Sequence, residues 1–90
     1  MVKAVVLINV DADKTAAAAE LLAQMAGITE VYSVAGNYDL VAVVSVAENA
    51  AVAQLVTEGI RQVPGIARTE TLIAFRSYSK NDLEGLLPMD

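Results

Sequence analysis

The stretch VAGNYDLVAVV, residues 34–44, decides how the chain folds, because four polar or conformationally special residues interrupt two apolar runs there. Gly36, Asn37, Tyr38 and Asp39 stand in a row. Gly and Asn tolerate positive φ, and Asn or Asp closes local side-chain turns, so a hairpin joining two strands accounts for the first two residues. Asp39 opens an apolar strand rather than a helix. Its carboxylate therefore needs backbone donors, an ammonium group or water.

Outward from this turn the chain reads as two copies of one unit. Residues 2–10 are rich in β-branched side chains, with apolar residues on both alternating sets (Ala4, Val6, Ile8 and Val10; Val5 and Leu7), the pattern of a strand buried on two faces. Asp11 or Asp13 offers an N-cap. From Lys14 the period becomes helical, with Ala18, Leu21, Leu22 and Met25 on one stripe and Gly27 placed to stop the helix. Residues 28–35 return to strand. Past the turn, residues 40–46 are again apolar on both sets, Glu48 or Asn49 caps a second helix, and Val52, Leu55, Val56 and Ile60 form its stripe. Pro64-Gly65 ends it, and residues 66–76 make the last strand. From Ser77 the chain becomes more polar, with a short helix expected over 82–87.

The order is βαββαβ. Gly-Ile follows each helix and precedes each second strand, in MAGITEVYSV (25–34) and VPGIARTETL (63–72). Two βαβ crossovers joined by the hairpin at Gly36–Asp39 predict an α+β, ferredoxin-like fold, an antiparallel four-stranded sheet with both helices on one face. One sheet face is then uncovered. Because the first and third strands are apolar on both faces, the open face is expected to dimerise sheet against sheet.

Composition agrees. Apolar residues make up 56% of the 90, more than a small monomer hides easily. Cysteine and histidine are absent, which excludes disulfides, thiolate metal sites and histidine acid–base chemistry. No apolar run approaches a bilayer span and no signal peptide is recognisable, so a soluble cytoplasmic protein is expected. Eleven acidic residues against six basic ones give a net charge of −5, and the cations are scattered at Lys3, Lys14, Arg61, Arg68, Arg76 and Lys80. Direct nucleic-acid binding is not expected without a basic stripe.

Most acids sit at expected helix starts (Asp11, Asp13, Glu48) or in the tail (Asp82, Glu84, Asp90), where helix dipoles or solvent account for them. No cofactor, metal site or catalytic residue is expected. The second polar island is ARTETL, residues 67–72. Along a strand, Thr69 and Thr71 share one face with Ile73 and Phe75, while Arg68 and Glu70 share the other with Leu72. A solvated rim is one reading. Two hydroxyls, a carboxylate and the N–H groups of a Gly turn also suit a zwitterion, its anion on N–H and hydroxyl and its ammonium on Asp39.

GNYDL (36–40) opening the third strand and VPGIARTETLIAF (63–75) leading into the fourth resemble the effector-binding domain of the Lrp/AsnC feast/famine regulators, over about residues 2–75. The resemblance implies dimers formed through the sheets, assembly into rings that are often octamers, and a small effector, typically an amino acid, held between dimers beside the turn. It also implies roles: Gly36, Asn37 and Tyr38 supply backbone and a wall, Asp39 meets the amino group, and Thr69 and Thr71 line the far side. Residues 1–77 are thus expected to be the effector-binding domain and 78–90 a tail. Full regulators of that family carry an amino-terminal helix-turn-helix domain, for which the strand starting at Val2 leaves no room. A stand-alone effector domain is expected, working through a partner such as a full-length regulator. Two other readings remain open. An ACT-like amino-acid-binding domain has similar topology, but its glycine-bearing turn after the first strand is VDADK (10–14) here. A cofactor-independent enzyme of the dimeric ferredoxin-like type would use Tyr32, Tyr38 or Tyr78 as acid.

Overall fold

The computed structural model of the chain describes residues 1–80. Four strands, β1 (Val2–Val10), β2 (Ile28–Ser33), β3 (Leu40–Val46) and β4 (Ile66–Ile73), form one sheet in the order β2-β3-β1-β4, with every neighbouring pair antiparallel. This is the α+β, ferredoxin-like arrangement. The two strands that are apolar on both alternating sets are the central ones, as burial from two sides requires.

Register assigns each set to a face. Ala4, Val6, Ile8 and Val10 of β1 and Leu40, Ala42 and Val44 of β3 are buried, and they pack with Ala18 and Leu22 of helix α1 (Thr15–Ala23) and Val52 of helix α2 (Asn49–Gln54) in a single core. The other set is left on the open face: Val5 opposite Val43 and Leu7 opposite Val41, all half-buried. Tyr32 and Leu72, each about half exposed, extend that apolar surface toward both sheet edges.

The helices differ in detail from the expectation. Neither begins on a side-chain cap: a short 3₁₀ turn (Ala12–Lys14) leads into α1, and at α2 the Glu48 carbonyl accepts from Ala51 N–H at 3.0 Å while its carboxylate makes no cap bond. Leu21 of the first stripe is 46% exposed, because Ala18 and Leu22 suffice to bury this Ala-rich helix. After α2 the chain widens into a π turn (Leu55–Gly59), where Ile60 N–H donates to both the Leu55 and Val56 carbonyls, and then tightens into a 3₁₀ turn (Ile60–Gln62). The stripe survives this change of pitch. Ile60 is fully buried, and Leu55 and Val56 pack against the core.

β2 ends at Ser33 because Val34 N–H donates to the Asp39 carbonyl (3.0 Å), closing the loop one step before the strand expected to reach residue 35. β4 stops at Ile73 rather than 76, with one further bond from Ala74 N–H to the Lys3 carbonyl (2.9 Å). Both outer strands carry an irregularity: the β2–β3 register steps over Thr29, and the β1–β4 register steps over Ala67. Such bulges blunt free sheet edges. The short helix expected over 82–87 lies outside the described residues.

Candidate functional site

The loop between β2 and β3 reaches the carboxyl end of β1, and the strand arithmetic there explains Asp39. Pairing of β1 with β3 runs out at Ile8 opposite Leu40, where Asp39 N–H donates to the Ile8 carbonyl at 2.9 Å. Val10, two residues further along the same edge, has no β3 residue opposite it. Its N–H donates instead to Asp39 Oδ2, also at 2.9 Å and partly buried. The carboxylate thus extends the ladder by one rung with a side chain. Of the three partners that Asp39 required, a backbone donor is the one supplied.

A second tie runs beside it. Asn9 Nδ2 donates to the Asn37 carbonyl at 2.8 Å. Tyr38, half-buried, donates its hydroxyl to Glu70 Oε1 on β4, so the loop spans the open face from β3 across β1 to the outer strand. The hydrogen bond to Glu70 raises the Tyr38 pKa above the ordinary tyrosine value, with desolvation and the Glu70 charge adding to it and the Arg68 charge opposing. Tyr32 is raised likewise by its hydrogen bond to Glu30.

Gly36 is the exposed tip. Its φ of +125° is one that L side chains rarely adopt, yet a methyl group built there would meet nothing within 4 Å. The requirement for glycine is conformational, and the space beside it is open. The loop therefore presents a bare backbone at its tip above a firmly held base.

Gly36, Asn37, Tyr38 and Asp39 are together in this loop. Thr69 and Thr71 are placed differently. They pair with Ile8 and Val6, whose side chains are on the helix-covered face, so both hydroxyls are half-buried on the side of the sheet away from the Tyr38–Glu70 contact. Within one chain the loop and these two threonines do not share a surface.

Three residues outside the expected set take part: Asn9 and Val10 through the contacts above, and Glu70, which the alternation had put on a rim. Arg61 is a fourth. With Ile66, Ala67, Arg68 and Thr69 it lines an open hollow of about 410 Å³ at the start of β4. In sequence Arg61 and Arg68 lie on either side of Pro64-Gly65, and recognising that turn as a reversal was the available signal that they return to one place.

A ferredoxin-like domain with a glycine-tipped polar loop at the mouth of its central strands is the class that fold and site define. The family follows: the Lrp/AsnC ligand binding domain matches residues 3–83, and the chain belongs to that family. The crystal structure of TTHA0845 from Thermus thermophilus is similar at 42% identity and a TM-score of 0.85, over 89% of this chain and 100% of that one. A feast or famine regulatory protein from M. tuberculosis, solved with L-methionine, is 29% identical with a TM-score of 0.75, over 89% of this chain and 54% of that one. An uncharacterized HTH-type transcriptional regulator of Pyrococcus furiosus, PF0250, is 35% identical over 57 residues, 63% of this chain and 38% of the regulator. The chain therefore spans well under half the length of that regulator. The family is one of transcriptional regulators rather than enzymes. Among the described residues no helix is long and apolar enough to cross a membrane.

Proposed function

We propose that this chain is a regulatory effector-binding domain that takes a small amino acid, or a related zwitterion, at the loop formed by Gly36, Asn37, Tyr38 and Asp39. The observation that carries this reading is the division of labour in Asp39: Oδ2 is committed to Val10 N–H, and Oδ1 has no hydrogen bond among the described residues. The held carboxylate offers that second oxygen to an ammonium group beside the open space at Gly36. A charge-assisted contact of this kind is worth roughly 1.5 to 3 kcal/mol. The relative solved with L-methionine supports an amino acid as the effector class.

The site is completed between subunits in this proposal. Since Thr69 and Thr71 do not face the loop of their own chain, their assigned role as far wall requires a second copy to bring them to it. The open sheet face, with Val5, Leu7, Val41 and Val43 half-buried and Leu72 about half exposed, supports dimerisation through the sheet, and dimers assemble further into a ring such as an octamer. Output passes through a partner, for which a full-length Lrp/AsnC regulator is the natural candidate, and the chain itself binds no nucleic acid. The domain spans residues 1–77, with 78–90 as a tail, in a cytoplasmic protein.

A panel of amino acids read by thermal shift and then by calorimetry tests the effector reading. Saturable binding of one or a few is expected, and a panel without a binder speaks against it. The assembly is tested by Val43→Glu, which puts a charge on the open face opposite Val5. Light scattering is expected to show loss of the dimer, and an unchanged mass would move the interface elsewhere.

A further inference from the structure

The hollow at the start of β4 brings together two arginines that the regulatory reading does not use. It is walled by Arg61, at the end of the helical segment after α2, and by Ile66, Ala67, Arg68 and Thr69 on the outer strand. Its volume of about 410 Å³ is of ligand size. Among the described residues no acidic side chain lines it. In a chain of net charge −5, two of the six basic residues converge there, and neither forms an ion pair among the described residues.

The strand geometry explains the convergence. Arg68 pairs with Asn9, while Arg61 follows α2 in the helical layer on the opposite side of the sheet from the open face. Strand alternation puts Arg68 on the open face and Thr69 on the helix side. The two arginines are thus attached on opposite sides of the sheet, and both line the hollow at the free edge of β4. Between them the β1–β4 register steps over Ala67, so this main-chain residue has no partner on β1. The Thr69 hydroxyl makes no hydrogen bond among the described residues.

We infer that this hollow is a binding site for a small oxyanion, a carboxylate or a phosphate, gripped by Arg61 and Arg68 with the Thr69 hydroxyl as an added donor. Planar guanidinium groups match the paired oxygens of carboxylate and phosphate, and a net-negative protein concentrates such anions only where unpaired cations are gathered. The site is distinct from the Asp39 carboxylate, which recognises the opposite charge. It shares Thr69 with the far wall assigned to the amino-acid pocket, whereas its two arginines are no part of that reading.

The test uses the full chain with inorganic phosphate and acetate as separate probes, at constant ionic strength set with chloride. Titrations followed by amide NMR shifts are expected to show saturable changes at Ile66, Ala67, Arg68 and Thr69, and the tighter of the two probes names the oxyanion. Arg61→Gln and Arg68→Gln are each expected to weaken that probe roughly tenfold, and the double variant to abolish its binding. Arg76→Gln, outside the hollow, is expected to leave it unchanged. Shifts that grow without saturation, or saturable binding that survives the double substitution in a chain whose amide spectrum is otherwise preserved, would overturn the site. If amino-acid binding fails in the separate panel while phosphate or acetate binds here, the oxyanion site stands without the effector reading.

Discussion

The two polar islands of this chain, the loop at 34–39 and the start of β4, are similar in composition and opposite in commitment. In the loop, Asp39 is bound to Val10 N–H, Asn37 to Asn9 and Tyr38 to Glu70, and the main chain closes through Val34 and Ile8. At the start of β4, the side chains of Arg68 and Thr69 have no hydrogen-bond or ion-pair partner among the described residues, and the Glu70 carboxylate receives only the Tyr38 hydroxyl. Polar residues next to an apolar core are thus of two kinds. Some repair the end of a strand ladder; others are held out to solvent by it.

That contrast is broken most severely by removing the repair. Asp39→Ala strands the Val10 N–H in a partly buried position, and a loss of about 2 kcal/mol in urea unfolding at fixed protein concentration is expected. Thr69→Ala and Arg68→Gln are expected to stay within about 0.5 kcal/mol in the same assay. Equal losses at both islands would erase the distinction. Gly36→Ala comes next, at about 1 kcal/mol, since its φ of +125° penalises any side chain although no atom stands in the way.

The smallest effect sharpens the comparison where the islands touch. Because its folded-state pKa lies above the ordinary value, the Tyr38 hydroxyl contributes its contact fully below about pH 10 and loses it as pH rises through the raised value. A difference titration of the native chain against Tyr38→Phe by phenolate absorbance is expected to give a midpoint above that of free tyrosine. Glu70→Gln should lower the midpoint, while Arg68→Gln should raise it further by removing the opposing charge. A midpoint indifferent to Glu70 would mean that the loop does not reach β4 in solution.

Much of this was legible in the residues. Period and punctuation gave the βαββαβ order, and the third strand runs over 40–46 as its apolar pattern indicates, because alternation and a Gly-containing turn are local signals. From Arg68 to Ile73 the faces of β4 followed from alternation as well, whereas the bulge at Ala67 puts Ile66 opposite Val10 against the simple period. What alternation does not contain is which face the helices cover, and so it did not show that Thr69 and Thr71 lie on the opposite side of the sheet from the Tyr38–Glu70 contact of their own chain. Asp39 with Val10 and Tyr38 with Glu70 are contacts between residues 29 and 32 positions apart. They depend on where one strand outruns its neighbour, a tertiary register invisible to local pattern. Arg61 and Arg68 looked scattered because charge was read along the chain rather than across the reversal at Pro64-Gly65. The π turn after α2 left no mark, since the apolar stripe through Val52, Val56 and Ile60 reads as an ordinary helix.

In the proposed site Asp39 serves the fold with one oxygen and an effector with the other, and Asp39→Asn separates the two. The amide oxygen can still accept from Val10 N–H, whereas the charge offered to an ammonium group is gone. Calorimetry with whichever amino acid the native chain binds is expected to show affinity falling at least tenfold, with urea stability nearer to native than that of Asp39→Ala. Unchanged affinity in the folded Asp39→Asn chain would contradict the claim and leave Asp39 a residue of structure alone.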